Sequence, residues 1–150
     1  MKRHILTLFL ILAFVATSAA QNGPAVAELF DGRYNNASYA TVVYLSGSKV
    51  APYNLTRYRS LTLTLHKQKV AAIEQLLNRD VATATDKEIT RSGGQIAYAA
   101  LQIKRKNKNE VYCVFYRNRP ASSGGQKRQI TLILTEGRAT ISELKEKFKQ

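Results

Sequence analysis

The run Val111-Tyr112-Cys113-Val114-Phe115-Tyr116 constrains this chain more than any other stretch. It contains no glycine or proline and is almost wholly β-branched or aromatic, which favours an extended strand. Alternation sends Val111, Cys113 and Phe115 to one face and Tyr112, Val114 and Tyr116 to the other. A strand that is apolar on both faces belongs inside a sheet and not at its edge. The rest of the chain therefore has to supply a neighbour on each side.

The neighbours are readable from pattern. Residues 39–46 form a strand, with Val43 and Leu45 on one face and Val42 and Tyr44 on the other. Pro52 argues against a central strand over residues 49–60. Leu61-Thr62-Leu63-Thr64-Leu65 is the cleanest alternation, a half-buried antiparallel strand with its leucines inward. The period then changes: Val70, Ile73, Leu76 and Leu77 recur at helical spacing over residues 67–78. The polar stretch 80–91 reads as a ragged extension of that helix, ended by Ser92-Gly93-Gly94. Strands follow over 96–103, 111–117 and 129–135. A short helix over 25–30 precedes them, with Pro24 at its start and Asp31-Gly32 at its stop. At the other end, Thr140-Ile141-Ser142-Glu143 matches a capping box, opening a helix with Ile141, Leu144 and Phe148 on one side. The order is α-β-β-α-β-β-β-α. Short connections between the last three strands favour a meander. The expected fold is α+β, a two-layer domain with an antiparallel β-meander sheet and the helices packed on one face.

The N-terminus reads as an export signal. Lys2, Arg3 and His4 precede an apolar run over residues 5–16, and Ser18-Ala19-Ala20 supplies small residues for cleavage before Gln21. The run is short of the roughly 20 residues that span a bilayer, and no later stretch is apolar enough to do so. The expected organisation is a signal peptide over 1–20 and one domain over 21–150, exported to the periplasm or the medium. Cys113 is the only cysteine, so no internal disulfide can form, and its place mid-strand fits a small apolar filler. The formal net charge is +13, and loss of Lys2 and Arg3 with the signal leaves +11. That balance favours anionic partners.

Catalytic chemistry has little to stand on. Beyond the leader His66 is the only histidine, at a strand end, while Cys113 is mid-strand and inward, so a nucleophilic pair is not expected. The carboxylates are scattered, one histidine and one buried thiol make no zinc site, and Gly93-Gly94 and Gly124-Gly125 lack the spacing of a phosphate cradle. No catalytic, metal or cofactor residue is nominated. Binding has better support. The sheet face opposite the leucines is expected to expose Tyr44, Tyr98, Tyr112 and Tyr116 among threonines, a surface able to stack on sugars or contact a protein. Basic turns offer anion contacts at Lys104, Arg105 and Lys106, and at Arg117 and Arg119. An exported chain argues against a nucleic-acid partner and for an envelope protein or an anionic glycan. The alternative reading is a small exported hydrolase whose site has no recognisable motif.

Three stretches carry a resemblance. They are Tyr53-Asn54-Leu55-Thr56-Arg57-Tyr58-Arg59-Ser60-Leu61-Thr62; Asp86-Lys87-Glu88 leading to Gly93-Gly94 and Tyr98; and Phe115-Tyr116-Arg117-Asn118 followed by a Gly-rich loop and Thr131-Leu132-Ile133. Together they resemble a family of small exported proteins of unknown function from Bacteroides-type gut bacteria. The resemblance covers nearly the whole chain after the leader and implies no activity, so it transfers no functional residue.

Overall fold

The structure is a computed structural model that describes residues 23–105 and 109–148. The expected leader, residues 1–20, lies outside the described residues, as does Lys106.

Six strands form one open antiparallel sheet: β1 (Ala40–Ser46), β2 (Leu55–His66), β3 (Asp86–Ser92), β4 (Gln95–Lys104), β5 (Val111–Pro120) and β6 (Lys127–Gly137). Their order across the sheet is β1-β2-β6-β5-β4-β3. β3 to β6 are a four-strand meander, and the β1–β2 hairpin lies against β6. β5, which contains the apolar run, is interior, between β6 and β4. Two α-helices, α1 (Val70–Thr83) and α2 (Ile141–Lys147), and a 3-10 helix over Ala25–Phe30 complete the fold. The chain is thus α+β, with an antiparallel sheet and a few helices.

Two elements differ from the pattern reading. The stretch expected to prolong α1 turns outward after Thr83 and becomes β3, an edge strand. Its sequence has no alternation because both its faces are polar; only Ile89 packs against the core. Gly93 and Gly94, at φ 59° and 78°, close the β3–β4 hairpin. Positive φ at both central positions is what a tight hairpin turn of this hand needs. The second difference is β2, which begins at Leu55, three residues after Pro52, and runs through Arg57 and Arg59. Those arginines disguise the strand: Arg57 is exposed and Arg59 largely buried, and Glu136 of β6 pairs with both.

Cover on both faces replaces the expected single helical layer. Register places Leu61, Leu132, Tyr116 and Ala99 in one cross-strand row, all on what we call the leucine face. There Leu61, Leu63, Leu101, Val114, Tyr116, Ile130, Leu132 and Leu134 pack against Val70, Ile73 and Leu77 of α1 and Val26, Leu29 and Phe30 of the 3-10 helix. Asp80 of α1 holds those two helices together, accepting N–H bonds from Ala25 at 2.6 Å and Val26 at 3.0 Å. Burial raises its pKa, with the two N–H bonds pulling the other way.

The opposite, cysteine face carries Ala100, Cys113 and Phe115 under Ala139, Ile141 and Leu144. α2 reaches it through a tight turn at Gly137, whose φ is 151°. A Cβ there would meet the Asn54 carbonyl at 2.5 Å, so only glycine fits this close approach. The same carbonyl accepts from Arg138 N at 3.0 Å and Ala139 N at 3.2 Å. Thr140 Oγ1 then accepts from Glu143 N at 3.3 Å and opens α2 where the sequence placed the cap.

Candidate functional site

α2 is short, at seven residues, and leaves part of the cysteine face open. The result is a groove of about 710 Å³ beside its C-terminal half. The floor comes from the meander. Tyr98 of β4, Arg117 of β5 and Thr131 of β6 stand in one cross-strand row, and Phe115 and Ile133 stand in the next. Lys145 of α2 and Phe148, which caps the helix C-terminus, form one wall. The Phe148 ring meets Phe115 edge-on at 5.3 Å between centroids and Tyr58 at 6.3 Å, which closes the aromatic end.

The charges in the groove are unequal. Lys145 Nζ hydrogen-bonds Glu88 of β3, and that bond raises the lysine pKa. Arg117 and Arg119 are exposed, and among the described residues neither has a carboxylate within ion-pair distance. Two residues apart on one strand, they point the same way, about 7 Å from each other. The Arg117 guanidinium lies 5.9 Å from the Tyr98 ring centroid. This arrangement offers two guanidinium forks, an aromatic ring and a threonine hydroxyl on one concave surface.

The four tyrosines expected on one open face are divided. Tyr98 and Tyr116 both border the groove, but strand parity turns only the Tyr98 ring to its side of the sheet. Tyr116 is 1% exposed in the core of the leucine face, where burial, and secondarily the Glu74 carboxylate, pushes its phenol pKa up. Tyr112 is half-buried on that same face under the Arg105 guanidinium, 5.3 Å from its ring centroid. Tyr44 is exposed on edge strand β1, on the leucine side, and donates its hydroxyl to the Phe30 carbonyl at 3.1 Å. The face assignment fails because Cys113 and the leucines are both inward while lying on opposite sides of the sheet.

The basic turns divide as well. Arg105 pairs with Glu110 at 2.8 Å and approaches Glu136 at 3.6 Å, so it is held inside an ion-pair network. Arg57 and Arg59 complete that network around Glu136, at 3.3 and 3.4 Å. Burial is the main cause that lowers the Arg59 pKa. Lys104 is exposed at the end of β4. Arg117 and Arg119 come together only because β5 runs on to Pro120, past the residue where the apolar pattern stops. Phe115, Ile133, Lys145 and Phe148 of the groove were not nominated from sequence, whereas Thr131 is one of the threonines expected on the binding face. α2's return over the cysteine face gathers them, and no local signal encodes that return.

Cys113 and His66 do not meet. Register sets Cys113 level with Tyr58, through Thr135, while His66 lies eight residues further along β2, about 26 Å away. The thiol is fully buried, its pKa pushed up by burial to about 12, and Sγ lies 3.6 Å from the Ala139 carbonyl. Among the described residues no group of three His, Cys, Asp or Glu side chains could hold a metal ion. No helix among them is long and apolar enough to cross a membrane.

No curated protein and no solved structure matches the chain. A family model does, over residues 13–148, which takes in every strand and helix described above. The chain belongs to DUF6108, a family of unknown function.

Proposed function

We propose that this is an exported, non-enzymatic binding domain whose groove on the cysteine face holds an acidic glycan or an acidic segment of an envelope component. The observation that carries this reading is the pair Arg117 and Arg119 beside the Tyr98 ring, both exposed and, among the described residues, without a carboxylate partner. A ring face stacks on a sugar, and guanidinium groups bind its carboxylate or sulfate. The formal charge, +13 for the whole chain and +11 once Lys2 and Arg3 leave with the leader, draws anions toward the site. The basic head, apolar run and Ser18-Ala19-Ala20 support export through a cleaved leader, which places the domain where such glycans occur.

Isothermal titration of the chain from Gln21 with oligogalacturonate, against a neutral oligosaccharide of the same length, tests this. Binding should occur for the acidic oligomer alone and weaken as salt rises. The double variant Arg117→Ala/Arg119→Ala should lose at least about tenfold in affinity, or about 1.4 kcal/mol. Equal binding of both oligomers, or an affinity untouched by the double variant, contradicts the reading. Intact-mass analysis of protein from the native envelope fraction tests the export claim, with a chain starting at Gln21 as the expected result.

A further inference from the structure

The two edges of the sheet are built differently. β3 carries Asp86, Lys87, Glu88 and Arg91 within its seven residues, and its register with β4 shifts between Thr90 and Arg91. Charges and bulges of this kind keep an edge from pairing with another chain. β1, Ala-Thr-Val-Val-Tyr-Leu-Ser, has no charge and no proline, and its register with β2 is unbroken. Five large apolar side chains are exposed among the described residues, and three of them, Tyr39, Val43 and Tyr44, lie on or beside β1.

The hydrogen-bond phase of β1 is fixed by Thr64 N donating to the Tyr39 carbonyl at 3.0 Å. In an antiparallel pair such residues alternate. Thr41, Val43 and Leu45 therefore exchange their bonds with β2, and Val42, Tyr44 and Ser46 turn their main-chain groups outward.

We infer that β1 pairs antiparallel with β1 of a second copy of this chain, about a two-fold axis at Val43. This register overlaps all seven residues and sets Val42 opposite the partner's Tyr44, so that the outward N–H and C=O groups of these two residues meet, while Ala40 N–H stays with the Ala37 carbonyl at 3.1 Å. A second copy is the occupant that fits. The neutral strand sets no charge against a like charge, although the two chains are strongly basic. The guarded β3 edge then stops growth at two copies and prevents an open filament. One strand pair with three large side chains is a small interface, which suits a dimer of micromolar affinity. The axis stands perpendicular to the sheet, so both grooves open on the same side. Two cationic grooves facing one way would grip a polymeric anion with avidity, but the pairing itself does not depend on what the grooves bind.

Sedimentation velocity on the chain from Gln21, at 1 to 200 micromolar, is the direct test. A monomer–dimer equilibrium is expected, and Val43→Lys should raise the dissociation constant at least about tenfold by opposing two ammonium groups at the axis. A second variant guards against misfolding. Val43 meets its own copy in a non-hydrogen-bonded pair, with Cα atoms about 4.5 Å apart, within disulfide reach. Val43→Cys should cross-link to a covalent dimer under mild oxidation, and Thr41→Cys, which faces the partner's Leu45, should not. A monomer throughout the concentration range overturns the inference. So does a dimer that survives Val43→Lys and gives no Val43→Cys cross-link.

Discussion

The leucine face and the cysteine face are made from the same strands, yet one is closed and the other half open. α1, at fourteen residues, is about 21 Å long and joins the 3-10 helix to cover the leucine face. α2 has seven residues, about 10 Å, and covers one end of the cysteine face. Over the leucine face even a tyrosine, Tyr116, is driven into the core. Beyond α2, arginines and a tyrosine stay accessible around Phe115 and Ile133. Helix length, more than strand composition, thus decides which face stays open. β5 is buried on both sides over residues 113–116, and the open patch is what remains when cover runs out.

The sharpest break between the faces should come from their tyrosines. Tyr116→Ala removes a fully buried ring and should cost about 4 kcal/mol in urea unfolding. Tyr98→Ala, in the groove, should cost about 1 kcal/mol. Equal losses would mean that the two faces are equally packed.

Cys113→Ser probes the covered end of the cysteine face. A hydroxyl in place of the buried thiol should cost about 2 kcal/mol. The wild-type thiol should react with a maleimide slowly in the native state and quickly in urea. Its proton adds a pH signature. The ordinary thiol pKa is 9.0, whereas the folded one is about 12. Between those values the unfolded chain loses the proton and the folded chain keeps it, so this group's contribution makes stability fall as pH rises. Fast native labelling would mean that α2 does not seal this end.

Phe148→Ala should have a smaller effect, about 1 kcal/mol, because the ring is already 37% exposed. It should widen the groove and leave the leucine face untouched, as methyl NMR of Leu61 and Leu132 would report. The smallest change belongs to Arg117→Ala/Arg119→Ala, within about 0.5 kcal/mol of wild type in thermal unfolding. A larger loss would reassign the arginines from binding to structure.

What pattern could show, and where it stopped, follows the same contrast. β1, β4, β5, β6 and α1 were legible because apolar periodicity marks them, and Thr140 marked α2. β3 was hidden because an edge strand polar on both faces has no period to read. The first half of β2 was hidden by Arg57 and Arg59, whose partner Glu136 is 77 residues from Arg59 in sequence. At the site, Arg117, Arg119 and Tyr98 were legible as residue types. Their neighbours were not, because two inward-facing sets on opposite sides of a sheet look alike until register separates them. Cys113 and Leu61 both read as inward, and both are buried, but beneath different helices.

If the proposal holds, the cysteine face is the side that binds. Amide chemical-shift mapping of the chain from Gln21 during titration with oligogalacturonate tests it most directly. Shifts are expected to cluster at Tyr98, Phe115, Arg117, Arg119 and Thr131, with those at Tyr44, Tyr112 and Lys104 left in place. Shifts centred on Tyr44, Tyr112 or Lys104, with the groove silent, would contradict it.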